Sequence, residues 1–244
     1  MHLPIRNDIP TERLGTPYGG WIIPANTLNS DSVCYLVGAG EDISFDVALA
    51  GRYGCPVHIF DPTPRAIAHV ELVISKIALQ QPVACATSPG GFYPETPAPV
   101  SALLHLHPYG IWSEDTTLRF FAPQNEDHVS HSLVNLQQSE ASIEVPVRRL
   151  ATLREELGHR HIDLLKIDTE GAEYQILESI LADQLPIDIL CIEFDESASN
   201  HIDRHYIRRI RQCLENLMAA GYEIIAKEPD SRNYTLVHRR RLAQ

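Results

Sequence analysis

Residues 162–174 read Ile162-Asp-Leu-Leu-Lys-Ile-Asp168-Thr-Glu170-Gly-Ala-Glu173-Tyr174. An apolar run that stops on Asp168 predicts a buried strand with a carboxylate at its carboxyl end. Ile176, Leu177, Ile180 and Leu181 follow at helical spacing, so a helix packs back onto that strand. In open α/β sheets ligands sit beyond the carboxyl ends of the strands. Asp168, with Glu170 two residues on, is therefore a candidate cleft residue. The plainer reading is helix-start chemistry, with Thr169 as a cap and acids in the first turn.

The same alternation extends in both directions. Val33–Gly38 and Pro56–Phe60 read as buried strands, each followed by a helical stretch (43–53 and 63–79). Thr63-Pro64 predicts a capped start with proline at the first helical position. Leu103–His107 reads as a third strand, Tyr109–Trp112 as a turn, and Thr117–Phe121 and Ile143–Val147 as further strands. Arg148–Leu157 reads as a helix, Ile187–Phe194 as a strand, and Ile202–Ala220 as an amphipathic helix. Tyr222–Ala226 and Tyr234–Val237 read as a terminal hairpin. Strands alternating with helices predict a mostly parallel sheet covered on both faces. Residues 1–32 read as an irregular arm or lid, with Trp21 either closing over a ligand or packing onto the core. Five prolines and Gly90-Gly91 make 82–101 a long loop.

Bulk properties exclude several classes. With 32 acidic and 20 basic residues the formal net charge is −12, which argues against non-specific nucleic-acid binding. No run approaches the ~18 apolar residues of a membrane span. The five cysteines are scattered without a CxxC, which predicts a reducing compartment. With no signal-like N-terminus, a cytoplasmic protein is expected. His128/His131 and His201/His205 have metal-like spacing, but no HEXXH accompanies them and no metal is expected. There is no G-x-S-x-G and no Walker P-loop.

Val37-Gly-Ala-Gly-Glu-Asp42 lies between the first buried strand and its helix. A GxG turn there suits a nucleotide cofactor, because glycine lets the backbone approach closely. Asp61 ends the next strand, where a carboxylate can hold ribose hydroxyls. Glu41 and Asp42 occupy the place where a dinucleotide would put its pyrophosphate, and close like charges repel. S-adenosylmethionine, a cationic adenosyl compound without phosphate, fits better. The alternative is that Glu41 and Asp42 only stabilise a helix N-terminus. Glu193 and Asp195 end the neighbouring strand and would add to a negative pocket. His131, in a polar irregular segment, is a candidate general base.

These residues resemble the FkbM-type family of S-adenosylmethionine-dependent methyltransferases over about residues 18–237. LLKIDTEGAE is the closest match to the family signature. VGAGEDISFD, GCPVHIFDPTP, YGIW, HVSHSLVNL, VPVRRL and IEF resemble further blocks in the same order. One departure is Asp195, where related chains often carry histidine. The resemblance implies a Rossmann-like class I methyltransferase fold: a seven-stranded, mostly parallel sheet with helices on both faces and a C-terminal β-hairpin. With no internal repeat and no second core in the sequence, one methyltransferase domain is expected over 33–244, with 109–147 as a substrate-side insertion. The resemblance implies cofactor contacts from Gly38, Gly40, Asp42 and Asp61; Ala39, Glu41, Pro62, Gly110, Ile111 and Asp168 are further cofactor-binding candidates. The catalytic candidates are Asp168, Glu170, Glu193 and His131. The expected activity is O-methylation of a hydroxyl on a small molecule or glycan, with no nucleic-acid or membrane partner. A homo-oligomer stays open alongside a monomer. The alternatives are N-methylation of an amine, a nicotinamide-type oxidoreductase, or a silent binding protein on the same fold.

Overall fold

The computed structural model describes residues 3–85, 91–121, 142–169, 171–196, 204–229 and 231–242. Its first two strands, β1 (Thr11–Leu14) and β2 (Trp21–Pro24), form an antiparallel hairpin. The α/β alternation then runs β3 (Cys34–Val37), α1 (Ser44–Tyr53), β4 (Val57–Phe60), α2 (Pro64–Ala78) and β5 (Leu104–His107). A small sheet follows, made of β6 (Gly110–Trp112), β7 (Thr116–Phe121) and β8 (Ser142–Arg149). The chain continues through α3 (Leu150–Glu156), β9 (Ile162–Ile167), α4 (Glu173–Ala182), β10 (Ile187–Glu193) and α5 (Tyr206–Ala219). It closes with β11 (Tyr222–Lys227), β12 (Asn233–His238) and a short helix, α6 (Arg239–Leu242).

The main sheet has seven strands in the order β11-β12-β10-β9-β3-β4-β5. Strands β3, β4, β5, β9 and β10 are parallel; β12 runs antiparallel to both β10 and β11. Alternation along each strand feeds two cores. Cys34, Leu36, Val57 and Ile59 pack with α1, α2 and the N-terminal hairpin. Tyr35, Val37, Leu165, Ile167 and Leu190 pack with α3, α4 and α5. Strand order reverses between β3 and β9, so their carboxyl ends diverge around a crevice.

Three local expectations are corrected. The arm before residue 33 is not irregular: Trp21 is 2% exposed and Ile23 is fully buried in the first core. Its hairpin is also tied to the far end of the chain, where the Thr235 hydroxyl donates to the Ile22 carbonyl at 2.6 Å. Tyr109–Trp112 is not simply a turn, because Gly110–Trp112 pairs in parallel with Val147–Arg149. The long amphipathic helix begins at Tyr206 rather than Ile202, and 197–203 lie outside the described residues.

A histidine cluster covers the β4–β5 edge of the second face. His58 stacks on His105 and His107, with its Nδ1 2.9 Å from His107 Nε2. His159 meets His58 edge-on and hydrogen-bonds the Tyr35 hydroxyl at 2.7 Å. Burial, then the neighbouring His159, His105 and His107, pushes His58 down to about 3. The folded chain thus holds His58 neutral, whereas the unfolded chain protonates it near 6.5. Stability is complete above that value and lost as pH falls below it. Between pH 7 and 4.5, His58→Leu should lose roughly 2 kcal/mol less stability than the parent in urea denaturation. Equal losses in the two chains would refute the assignment.

Candidate active site

The crevice is built by the glycine turn after β3 and the tip of β9. Gly38 has φ +87, and a Cβ there would overlap the Asp168 carbonyl oxygen. Only glycine lets these two strand ends touch. The backbone ties them further: the Asp168 amide donates to the Val37 carbonyl at 3.0 Å, and the Gly38 amide donates to the Phe60 carbonyl at 3.0 Å. Gly40, at φ +53, faces open space, with nothing within 4 Å of where a Cβ would stand. It is the place in the turn where a ligand can lie against bare backbone.

Asp61, at the tip of β4, fastens this turn. Its Oδ2 accepts from the Ala39 amide at 2.9 Å and the Gly40 amide at 3.3 Å. Its Oδ1 accepts from the Thr63 amide and hydroxyl at 2.8 and 2.7 Å, which also starts α2. The longest of these bonds, to Gly40, is the one a ligand hydroxyl would most easily replace. Asp42 plays a different part from the one expected. It is buried, with Oδ2 accepting from the Thr16 hydroxyl at 2.8 Å and Oδ1 from the Ser44 amide at 2.9 Å. The Tyr93 hydroxyl at 3.3 Å and the Cys85 thiol at 3.7 Å also approach it. Asp42 therefore joins the glycine turn to the N-terminal hairpin and to the proline-rich loop. Glu41 lies on the rim, in an ion pair with Arg65 at 2.9 Å.

Lys166 is the residue that reading the sequence passed over. It is 4% exposed, and its Nζ donates to the Gly38 carbonyl at 2.7 Å and meets Asp168 Oδ2 at 3.0 Å. The ammonium thus braces both walls of the crevice. Burial alone would lower it, but Asp168, then Asp46 and Glu193, outweigh burial and hold it charged. Asp46 on α1 is itself 2% exposed, and burial pushes its carboxyl up to about 7 although Lys166 opposes this. The available signal was a lone cation in an apolar strand, two residues before Asp168 and so on the same face.

Helix α4 starts at Glu173, and Thr169 does not cap it. The Thr169 hydroxyl and Gly171 amide instead donate to Glu173 Oε1 at 3.2 and 2.9 Å. Burial raises the Glu173 carboxyl against those bonds, and a further hydrogen bond links it to Asp195. Glu173 thus positions Asp195 from behind.

The crevice opens into a cleft of about 530 Å³. Its walls include Gly38, Ala39, Gly40, Glu41, Asp42, Asp61, Pro62, Gly110, Ile111, Asp168 and Glu193, so eleven of the residues singled out from sequence converge there. Glu170 and His131 lie outside the described residues. Residues from distant segments complete the walls: Tyr18 from the hairpin turn, Phe120 from β7, Glu228 and Ser231 from the β11–β12 connection, and Asn233 from the start of β12. Among the described lining residues there are seven carboxylates and one amino group, that of Lys166. Such a lining repels a pyrophosphate and suits a cationic adenosyl donor.

This sheet order, with a glycine turn and an acidic strand tip at its switch point, is the architecture of class I methyltransferases. The chain belongs to the methyltransferase FkbM domain family, which matches residues 37–224. It is similar to probable methyltransferase-like protein 24 of Rattus norvegicus, at 26% identity over 152 residues, covering 62% of this chain and 29% of that protein. The Homo sapiens protein of the same name is 24% identical over 158 residues, covering 64% of this chain and 30% of its own. The chain thus spans about a third or less of the length of these curated relatives. Among solved structures it is similar to Aeropyrum pernix fibrillarin with natively bound S-adenosyl-L-methionine (10% identity, TM-score 0.43, 88% of this chain and 68% of that one). It is also similar to an rRNA methylase of Streptococcus thermophilus (12% identity, TM-score 0.44, 88% and 90%). Among the described residues no helix is long and apolar enough to cross a membrane.

Proposed function

We propose that the protein is an S-adenosylmethionine-dependent methyltransferase that modifies a hydroxyl on a small molecule or glycan. The observation that carries this reading is the single cleft that gathers the glycine turn, Asp61 and Asp168 under an acidic lining. Bound there, S-adenosylmethionine would supply an electrophilic methyl group on a sulfonium. Gly38, Ala39 and Gly40 would offer it bare backbone, Asp61 would hold its ribose hydroxyls, and Pro62, Gly110 and Ile111 would offer an apolar wall. Asp168, ion-paired with Lys166, would orient the acceptor hydroxyl and take its proton. Most of the acceleration then comes from alignment, because the methyl group is already activated.

Thermal shift tests the cofactor: S-adenosylhomocysteine should raise the melting temperature and NADH should not. Stabilisation by NADH alone would overturn the reading in favour of an oxidoreductase. Asp168→Asn, which keeps an oxygen beside the Lys166 ammonium, should still bind S-adenosylhomocysteine but cut methyl incorporation from labelled S-adenosylmethionine about 100-fold or more. Undiminished incorporation would remove Asp168 from the chemistry. The acidic lining also favours a second reading, N-methylation of an amine, which product analysis separates by the atom that gains the methyl group.

A further inference from the structure

We propose that Cys34 and Cys55 form an oxidisable pair, which a peroxide converts into a disulfide that staples the unit carrying the glycine turn.

Cys34 opens β3, and Cys55 stands between α1 and β4. Their sulfurs are 3.8 Å apart, in van der Waals contact. The backbone is held together at this point, because the Cys34 amide donates to the Pro56 carbonyl at 3.3 Å. A disulfide sets its sulfurs about 2.05 Å apart, so the pair must close by about 1.8 Å. Gly54 supplies the slack. It ends α1 in the left-handed region at φ +67, with nothing within 4 Å of where a Cβ would stand. The chain can turn there without a clash. The other cysteines lie elsewhere: Cys85 is beside Asp42 at 3.7 Å, Cys191 is beside Thr235 at 4.0 Å, and Cys213 is on α5.

The two thiols are not equivalent. Cys34, as the donor, holds the Cys55 thiol below its usual range against burial, while that bond and burial raise Cys34 itself. The thiolate is the nucleophile, so Cys55 reacts first. Its sulfur attacks one oxygen of hydrogen peroxide and the O–O bond breaks. The hydroxide released takes up the Cys55 proton and leaves as water. The Cys34 sulfur then attacks the resulting sulfenic acid. The S–S bond forms, the S–O bond breaks, and the second hydroxide leaves as water with the Cys34 proton. Two thiols are oxidised to one disulfide, and one peroxide is reduced to two waters.

Both side chains are closed to solvent in the folded chain, at 0% exposure. Peroxide, little larger than water, reaches them when the end of α1 opens, where Gly51, Arg52 and Gly54 are exposed. The reaction is slow for that reason, and the finished bridge is shielded from reductants in the same way. The bridge joins residues 21 apart and encloses β3, residues 38–42 and α1. It fixes this unit from the end of β3 opposite the glycine turn, and neither cysteine lines the cleft. Its formation is independent of what the cleft binds.

In the test the full chain is incubated with hydrogen peroxide without denaturant, alkylated after unfolding, digested and mapped by mass spectrometry. Two of the five thiols should be lost. The peptides carrying Cys34 and Cys55 should be recovered as one linked pair that dithiothreitol separates. The bridged chain should melt roughly 5–10 °C above the reduced one. Cys34→Ala should lose that rise and leave Cys55 as a sulfenic acid that dimedone captures. If that variant does not fold, the peptide map of the parent decides alone. Five free thiols after peroxide, a bridge between another pair, overoxidation of Cys55 without a bridge, or no rise in melting temperature on bridging would overturn the proposal.

Discussion

Replacing Gly38 by alanine is expected to cost about 4 kcal/mol or more and to abolish cofactor binding, whereas Gly40→Ala should cost only about 1 kcal/mol. The two glycines differ in what surrounds them. At Gly38 a methyl group would overlap the Asp168 carbonyl, so β3 and β9 must separate at their tips. That separation breaks the Asp168–Val37 backbone bond and pulls the Gly38 carbonyl from Lys166. At Gly40 the added methyl group meets open space, so the fold bears only the cost of a left-handed conformation. The same methyl group would stand where a ligand lies against the turn. Gly40→Ala should therefore weaken S-adenosylhomocysteine binding by more than its small stability loss suggests. Urea denaturation and calorimetric titration of both variants check this. A Gly38→Ala chain of ordinary stability would show that the strand tips can part freely.

Lys166→Met should be the most damaging change of a single polar side chain in the site, at about 3–5 kcal/mol. Methionine fills the space but leaves Asp46 and Asp168 facing each other without the ammonium that separates them. The sign of the pH dependence identifies this cause. Asp46 has a folded-state value raised from 3.8 to about 7, so its burial weighs against the fold as pH rises through that interval. Without Lys166 the weight grows, and the variant should regain stability on acidification from pH 8 to 6 relative to the parent. Asp46→Asn should rescue the variant more than it alters the parent, a coupling that a double-mutant cycle measures directly. Additive effects would mean that the two side chains do not interact.

Much of the fold was legible because its signals are local. Apolar runs ending in Gly38, Asp61 and Asp168 mark three strand tips, and helical spacing marks α2 and α5. The parts that escaped depend on distant partners. Strand β6 has three residues, begins with glycine, and exists because Val147–Arg149 runs beside it. The β1–β2 strands are four residues each, too short for alternation to stand out. Asp42 was legible as an acid at a helix start but not as the hub for Thr16 and Tyr93, which lie 26 and 51 residues away. Lys166 was hidden for the same reason, since the carbonyl it holds is 128 residues earlier. Candidate residues were thus read from type and place. Whether each faces a ligand or the protein depended on contacts across the chain.

The two hairpins also bear on where this protein's working unit begins and ends. The family match covers 37–224, a natural interval at which to trim the chain. Yet Tyr18 and Trp21 on one side, and Glu228 and Asn233 on the other, line the same cleft from outside that interval. The Thr235–Ile22 bond and the Arg13–Glu228 ion pair join the two outlying pieces to each other. Similarity therefore marks the stretch that relatives share, while the cleft takes part of its lining from both flanks. Trimming at the boundaries of similarity would keep the whole glycine turn and remove parts of two walls of the cleft it opens into.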